Sequence, residues 1–142
     1  MKALDVARYI IARCNQQGQT ISNLKLQKIL YFVQAEFLVS KDKECFIENI
    51  EAWDFGPVVP EVYHRYKVYG GTNIPVLNDD DFCPFNKFDK KIADEIIDEC
   101  SKYSASALVD ITHRQSPWVT AYHRPGSRII QNESIKSFFM KG

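Results

Sequence analysis

The chain has 142 residues, 45% apolar and 25% charged, the composition of an ordinary globular domain with enough apolar mass to bury a core. Lysine plus arginine and aspartate plus glutamate number 18 each, so the formal charge is zero, which argues against affinity for nucleic acid built on phosphate neutralisation. No apolar run reaches the roughly twenty residues that span a bilayer, and Asp5 with no small-residue cleavage site argues against a secretion signal. The expectation is a cytoplasmic protein without a membrane partner.

Ala3, Ala7, Ile10 and Cys14 fall on one stripe with Val6 and Ile11 beside it, the spacing of a helix over residues 3–16 that stops at Gly18. Ser22 suits the cap of a second helix, residues 23 to about 39. Its apolar residues Leu26, Ile29, Leu30, Val33 and Phe37 are widened by Leu24, Tyr31, Phe32, Ala35 and Leu38 until nearly every face is apolar, which predicts the central, most enclosed helix. Lys25, Gln27, Lys28 and Gln34 on that helix then need water or a partner. Residues 46–53 alternate poorly and read as irregular or a short strand. Asp54-Phe55-Gly56-Pro57 is a turn signal. Pro60 suits a first helical position, with Val59, Val62, Tyr66 and Tyr69 at helical spacing until Gly70-Gly71.

Residues 74–84 read as a loop whose acidic run, Asp79-Asp80-Asp81, lacks the oxygen-ligand spacing of a calcium site and fits a solvated charge run. Asp89 can cap a helix to about Lys102 with Ile92, Ile96 and Cys100 inward. Ser104 or Ser106 can open a short helix carrying Leu108, Val109 and Ile111. Ser116-Pro117-Trp118 starts another, with Ser116 at the cap. Ile129-Ile130 fits a very short strand, and Asn132 can cap a last helix packed through Ile135, Phe138 and Phe139. The fold class expected is mainly α: one compact helical bundle over residues 1–142 around a central apolar helix, with at most short strands.

A search for chemistry finds no convergent set. Among the histidines His64, His113 and His123, His113 shares a helix face with Asp110, and nothing completes a metal site at recognisable spacing. A hydrogen-bonded histidine fixing a turn is the better reading. The cysteines Cys14, Cys45, Cys83 and Cys100 form no CxxC pair, and no local signature marks Cys45 as a nucleophile. Gly70-Gly71 lacks the Lys-Ser/Thr of a phosphate loop, and no GxSxG elbow occurs. No enzyme, metal or cofactor is expected.

Two constellations set a tryptophan beside a proline bend: Glu51-Ala52-Trp53-Asp54-Phe55-Gly56-Pro57-Val58-Val59-Pro60-Glu61-Val62-Tyr63, and Thr112-His113-Arg114-Gln115-Ser116-Pro117-Trp118. With Leu24-Lys25-Leu26-Gln27-Lys28-Ile29-Leu30-Tyr31-Phe32-Val33-Gln34 they make three stretches in order. These resemble the KLQKLLYFAQ, EAWxYGPVxPxVY and LxxxTHxxxPW segments of the Panacea family, the SocA-like or GepA-like phage-associated domains. Phe55 stands where the family commonly has tyrosine.

The resemblance implies an antitoxin of a bacterial or prophage toxin–antitoxin module. Such a protein neutralises a cognate toxin by direct contact, and some relatives pass the toxin to a protease. The competing expectation is a DNA-binding regulator. It would need a clustered basic helix, and Lys87, Lys90 and Lys91 lie among Asp89, Asp94, Glu95, Asp98 and Glu99. Candidate binding residues are the motif positions Lys25, Gln27, Lys28, Tyr31, Gln34, Glu51, Trp53, Gly56, Pro57, Pro60, Tyr63, Thr112, His113, Pro117 and Trp118. For Gln27 and Glu51 the alternative is that they satisfy buried backbone groups. For both tryptophans, core packing is the stronger reading on physical grounds. Toxin choice is expected in the loop 74–84 and the C-terminal helix.

Overall fold

The computed structural model describes residues 1–76 and 81–141; Asp79 and Asp80 of the acidic run lie outside them. Within the described residues the chain forms α1 (Ala3–Gln16), α2 (Asn23–Lys41), β1 (Ile50–Trp53), β2 (Gly56–Val58), α3 (Pro60–Tyr66), α4 (Lys87–Ser101), α5 (Ala105–His113), α6 (Ser116–His123), β3 (Ile129–Ile130) and α7 (Asn132–Met140). A 3-10 turn, Lys67–Tyr69, extends α3 to Gly70, whose positive φ of 57° ends it. The fold is mainly α. No helix of the described residues is long and apolar enough to cross a membrane.

The helix with apolar residues on nearly every face, α2, is the axis. Leu26, Ile29, Leu30, Tyr31 and Val33 of α2 are inaccessible to solvent, and α2 packs against α1, α3, α4, α5, α7 and β2. Ser22 caps it, its side chain accepting from Lys25 N–H, and Asp42 closes it in the left-handed region at φ 55°. Tyr31 and Phe32 meet Phe139 of α7 edge to face at 5.9 Å. On the far side α1 and α4 are clamped by polar bonds: Arg13 reaches both Asp98 oxygens at 2.8 and 2.7 Å, and the Tyr9 hydroxyl donates to Asp94 at 2.5 Å. Cys14 and Cys100 are buried here as small apolar residues, as their stripe positions predict.

Several local expectations are corrected. Asn86, not Asp89, caps α4, its side-chain oxygen accepting from the Asp89 N–H; the Asp89 side chain instead pairs with Lys41 at 2.6 Å. The inward stripe of α4 is Ala93, Ile97 and Cys100, with Ile92 and Ile96 only half-buried on its flank. Of the two serines expected to open α5, it is Ser104 that does so. Gln115 occupies the cap of α6, so Ser116 and Pro117 lie in its first turn. The cap of α7 is Gln131 rather than Asn132. For α4, α6 and α7 a polar residue near the start was identified and the cap was missed by one to three positions, because a cap is fixed by where the chain turns and not by side-chain type alone.

The larger correction is the hairpin. The turn is only Asp54-Phe55. Gly56, Pro57 and Val58 pair antiparallel with β1 in the register Trp53↔Gly56, Ala52↔Pro57, Glu51↔Val58, and β3 joins the other side of β1 through Ile50↔Ile130 and Glu51↔Ile129. Proline in a strand belongs at an edge, where its missing N–H faces no ladder partner, and β2 is such an edge: the sheet order is β2-β1-β3.

Candidate functional site

The three sequence stretches converge on the β1–β2 hairpin. On the open side of β2 the outward groups are the Pro57 carbonyl and the Val59 N–H. Lys28 Nζ donates to the first at 2.9 Å, and Gln27 Oε1 accepts from the second at 2.9 Å, while Gln27 Nε2 donates to Asn23 at 2.9 Å. Two neighbouring side chains of α2 thus take the place of a fourth strand. The outward groups of β3 are similarly occupied, the Ile129 N–H by Ser127 and its carbonyl by Arg124. Both sheet edges are blunted against strand addition.

Gln34 does the same for the chain entering β1, accepting from Cys45 and Phe46 N–H at 2.8 and 3.2 Å and donating to the Phe46 carbonyl at 3.0 Å. Lys25 Nζ donates to the Ser101 carbonyl at 2.7 Å, at the C-terminal end of α4 where the helix dipole favours a cation. Tyr31 donates to Gln115 at 2.6 Å. All five of these α2 side chains are buried. Their polar atoms recognise backbone and neighbouring side chains, and every buried side-chain nitrogen or oxygen among the described residues has a partner. Lys28 is completely enclosed, and burial pushes its amine down to about 7. The same desolvation raises the Tyr31 phenol.

Gly56 explains why these segments close so tightly. Its φ is +104°, and a β-carbon there would lie 2.7 Å from Lys28 Cε and 2.9 Å from Thr112 Oγ1. Only glycine lets α2, the hairpin and α5 meet at this point. Thr112, wholly buried, shares its hydroxyl proton between the Leu108 and Val109 carbonyls at 3.0 Å each.

The hairpin tip is held from behind. His113 Nε2 donates to the Asp54 carbonyl at 2.8 Å, which fixes the Nε2-protonated tautomer and makes His113 a turn-fixing residue. Trp118, 8% exposed, donates its indole N–H to the Trp53 carbonyl at 2.8 Å. Tyr122 donates to Asp54 Oδ1 at 2.5 Å. The rings of His113, Trp118 and Tyr122 stack in sequence at 4.2 and 4.5 Å, and the Arg128 guanidinium lies 4.6 Å over Tyr122. Pro117, buried in the first turn of α6, helps set the direction from which Trp118 enters this stack.

On the outer side of β1, Trp53 and Glu51 are half-buried, the indole N–H donating to Glu51 at 3.0 Å. Tyr63 meets Trp53 edge-on at 5.1 Å, and its carbonyl accepts from Asn23. Pro60 starts α3, which positions Tyr63. Glu51 therefore holds a side chain, not a buried backbone group. Sequence reasoning missed Tyr122, Arg128 and Gln115, which lie outside or between the recognised motif letters; Tyr122, four residues after Trp118 on one helix face, carried a signal that the helical spacing could have exposed.

Nothing in this arrangement converges as a catalytic set does. Burial pushes the thiols of Cys45 and Cys100 up to about 12 and that of Cys14 to about 11, the opposite of an activated nucleophile. Among the described residues no group of three or more His, Cys, Asp or Glu side chains is placed to hold a metal ion. Lys90 of the basic run is paired with Asp94 at 2.7 Å.

The result is a helical scaffold that presents a hairpin braced from its inner side. The chain matches the model of the SocA-like antitoxin family, Panacea domain, over residues 26–119, and belongs to that family. It is similar to Antitoxin SocA of Caulobacter vibrioides (strain NA1000 / CB15N), at 31% identity over 135 residues, covering 87% of this chain and 72% of the relative. No solved structure matches. Membership in a family of antitoxins supports an antitoxin role, and with it a toxin as partner in general.

Proposed function

We propose that this protein neutralises a toxin encoded beside its own gene by direct, stoichiometric binding in the cytoplasm, as a binding protein without catalysis, metal or cofactor. The observation that carries the reading is the 31% identity to Antitoxin SocA over most of both chains. The geometry supports it in a second way. The braced hairpin is rigid before any partner arrives, so binding costs little ordering entropy at that surface. Of the motif residues, Glu51, Trp53, Tyr63 and His113 keep some surface for contact, whereas Lys25, Gln27, Lys28, Tyr31, Gln34, Gly56, Pro57, Thr112, Pro117 and Trp118 are buried and build the frame. Transfer of the bound toxin to a protease is a compatible extension that requires the complex first.

The test is co-expression. The neighbouring gene product alone should arrest growth, and this chain should relieve the arrest and co-purify with it at fixed stoichiometry. Rescue should survive Cys45→Ser, because a nucleophile cannot be removed without a large loss of rate while a binding surface is untouched. A neighbour that is harmless, together with a purified protein that retards DNA with steep salt dependence, would favour the regulator instead.

A further inference from the structure

We propose that the Asp54-Phe55 hairpin tip is a preformed binding knob: Phe55 enters an apolar cup on the toxin, and Arg128 beside it pairs with a carboxylate on the rim of that cup. The inference rests on the antitoxin reading and names the surface that reading needs. Phe55 is 63% exposed at the tip of a two-residue turn, where the positive φ is taken by Gly56 and not by Phe55. A phenylalanine in that position adds nothing to the core. Single exposed apolar residues are ordinary; Phe55 differs in what lies behind it. The successive carbonyls of Trp53 and Asp54 are each held by a side chain, Trp118 on the first and His113 on the second, and the Asp54 carboxylate takes the Tyr122 hydroxyl. On the other flank Gly56 admits no β-carbon between Lys28 and Thr112. The tip is therefore locked in one conformation, the property that makes an aromatic anchor effective.

Charge selects the occupant. The Arg128 side chain is 49% exposed and approaches Asp54 only at 4.0 Å. Its flat face is already engaged by Tyr122. The half-exposed side chain stands at the rim of the depression it lines with Trp53, Asp54 and Phe55, its guanidinium a planar donor array suited to a carboxylate. The Trp53 indole N–H is taken by Glu51 and is not offered to a partner.

Calorimetric titration of the purified neighbouring toxin into purified variants tests this, with Val68→Ala, altered at a residue 80% exposed on another surface, as the control. Phe55→Ala should weaken binding at least about tenfold, as loss of an interface anchor does. Arg128→Gln should weaken it too and flatten its salt dependence, while Val68→Ala binds like the parent. Arg128→Glu should lose binding and regain part of it when one toxin carboxylate is changed to lysine. The melting temperature of Phe55→Ala should match the parent. Parent-like affinity in Phe55→Ala and Arg128→Gln overturns the knob while leaving the antitoxin standing. A parent protein that does not bind the toxin overturns both. Self-association abolished by Phe55→Ala, with toxin binding intact, would make the occupant a second copy and refute the assignment.

Discussion

Lys28 makes the stability of this protein depend on pH in a direction opposite to that of most small domains. Its amine is enclosed with a single acceptor, the Pro57 carbonyl, and is depressed from 10.5 to about 7. Protonating it in place costs the native state about 5 kcal/mol relative to the unfolded chain. Below pH 7 both states carry the proton and the penalty is fully present. Between pH 7 and about 10.5 the unfolded chain holds one more proton than the native protein, so stability rises with pH, by about 1 kcal/mol between pH 7 and 8. The buried thiols oppose this from higher pH. Cys14, Cys45 and Cys100 are raised from 9.0 to about 11 or 12, so the unfolded chain sheds their protons first and stability falls above pH 9. The stability maximum should therefore lie between about pH 8 and 9. Urea denaturation at fixed ionic strength with reductant, from pH 7 to 9.5, measures the curve. Lys28→Met should remove the rising limb and keep the falling one. At pH 7 the lost Pro57 contact and the relieved amine burial oppose each other, so the slope is the diagnostic. A parent curve flat from pH 7 to 8, or a Lys28→Met variant that keeps the rise, refutes the reasoning.

Gly56→Ala should lower stability by about 2–4 kcal/mol, from backbone strain at φ +104° and contact with Lys28 and Thr112; a thermal melt within a degree of the parent would deny the tight junction. Gln34→Leu strands the Cys45 and Phe46 N–H groups and the Phe46 carbonyl and should cost about 3 kcal/mol or more in urea unfolding. Trp118→Ala should cost about 3–5 kcal/mol, measured by chemical denaturation; a variant that keeps its stability and loses only toxin binding would make Trp118 an anchor instead. His113→Ala should cost about 1 kcal/mol through the lost tip bond and leave toxin rescue in vivo largely intact, since Trp118 and Tyr122 still hold the turn.

The helical frame was legible because burial leaves a periodic signature. The stripes of α1 and α2 predict their lengths closely, and the all-round apolarity of α2 predicts its central place. What the sequence did not reveal was the role of the polar letters inside that apolar helix. Lys25, Gln27, Lys28 and Gln34 look like contact residues because polar side chains normally seek water. Gln27, Lys28 and Gln34 turn inward because β2 and the chain around Phe46 present backbone groups with no strand beside them, and Lys25 because the end of α4 offers it the Ser101 carbonyl. That demand is created by tertiary structure and has no periodicity. The strand Gly56–Val58 was hidden for a related reason: Gly-Pro reads as a turn, and only a partner supplying hydrogen bonds from side chains makes it a viable edge. The pairing of Tyr122 and Arg128 with Asp54 joins positions 68 and more residues apart, which one sequence cannot connect.

The hairpin also divides into an inner side that holds it and an outer side that faces away from the frame. Every bond that fixes the tip comes from its inner side: Lys28 below Pro57, Thr112 against Gly56, and His113, Trp118 and Tyr122 on the Trp53–Asp54 turn. None of them uses the Phe55 side chain or the outer edge of Arg128. A substitution at Phe55 therefore changes what the tip presents without disturbing what holds it, and its energetic effect on folding is close to that of an ordinary surface exchange, within about 0.5 kcal/mol. Changes to the frame behave oppositely: each removes a partner from a buried group and costs stability before it affects recognition. Selection on partner choice can then act on the outer side chains alone. The residues of the three sequence stretches sit mostly in the frame, and the residue that we propose reads the toxin is one the fold does not need.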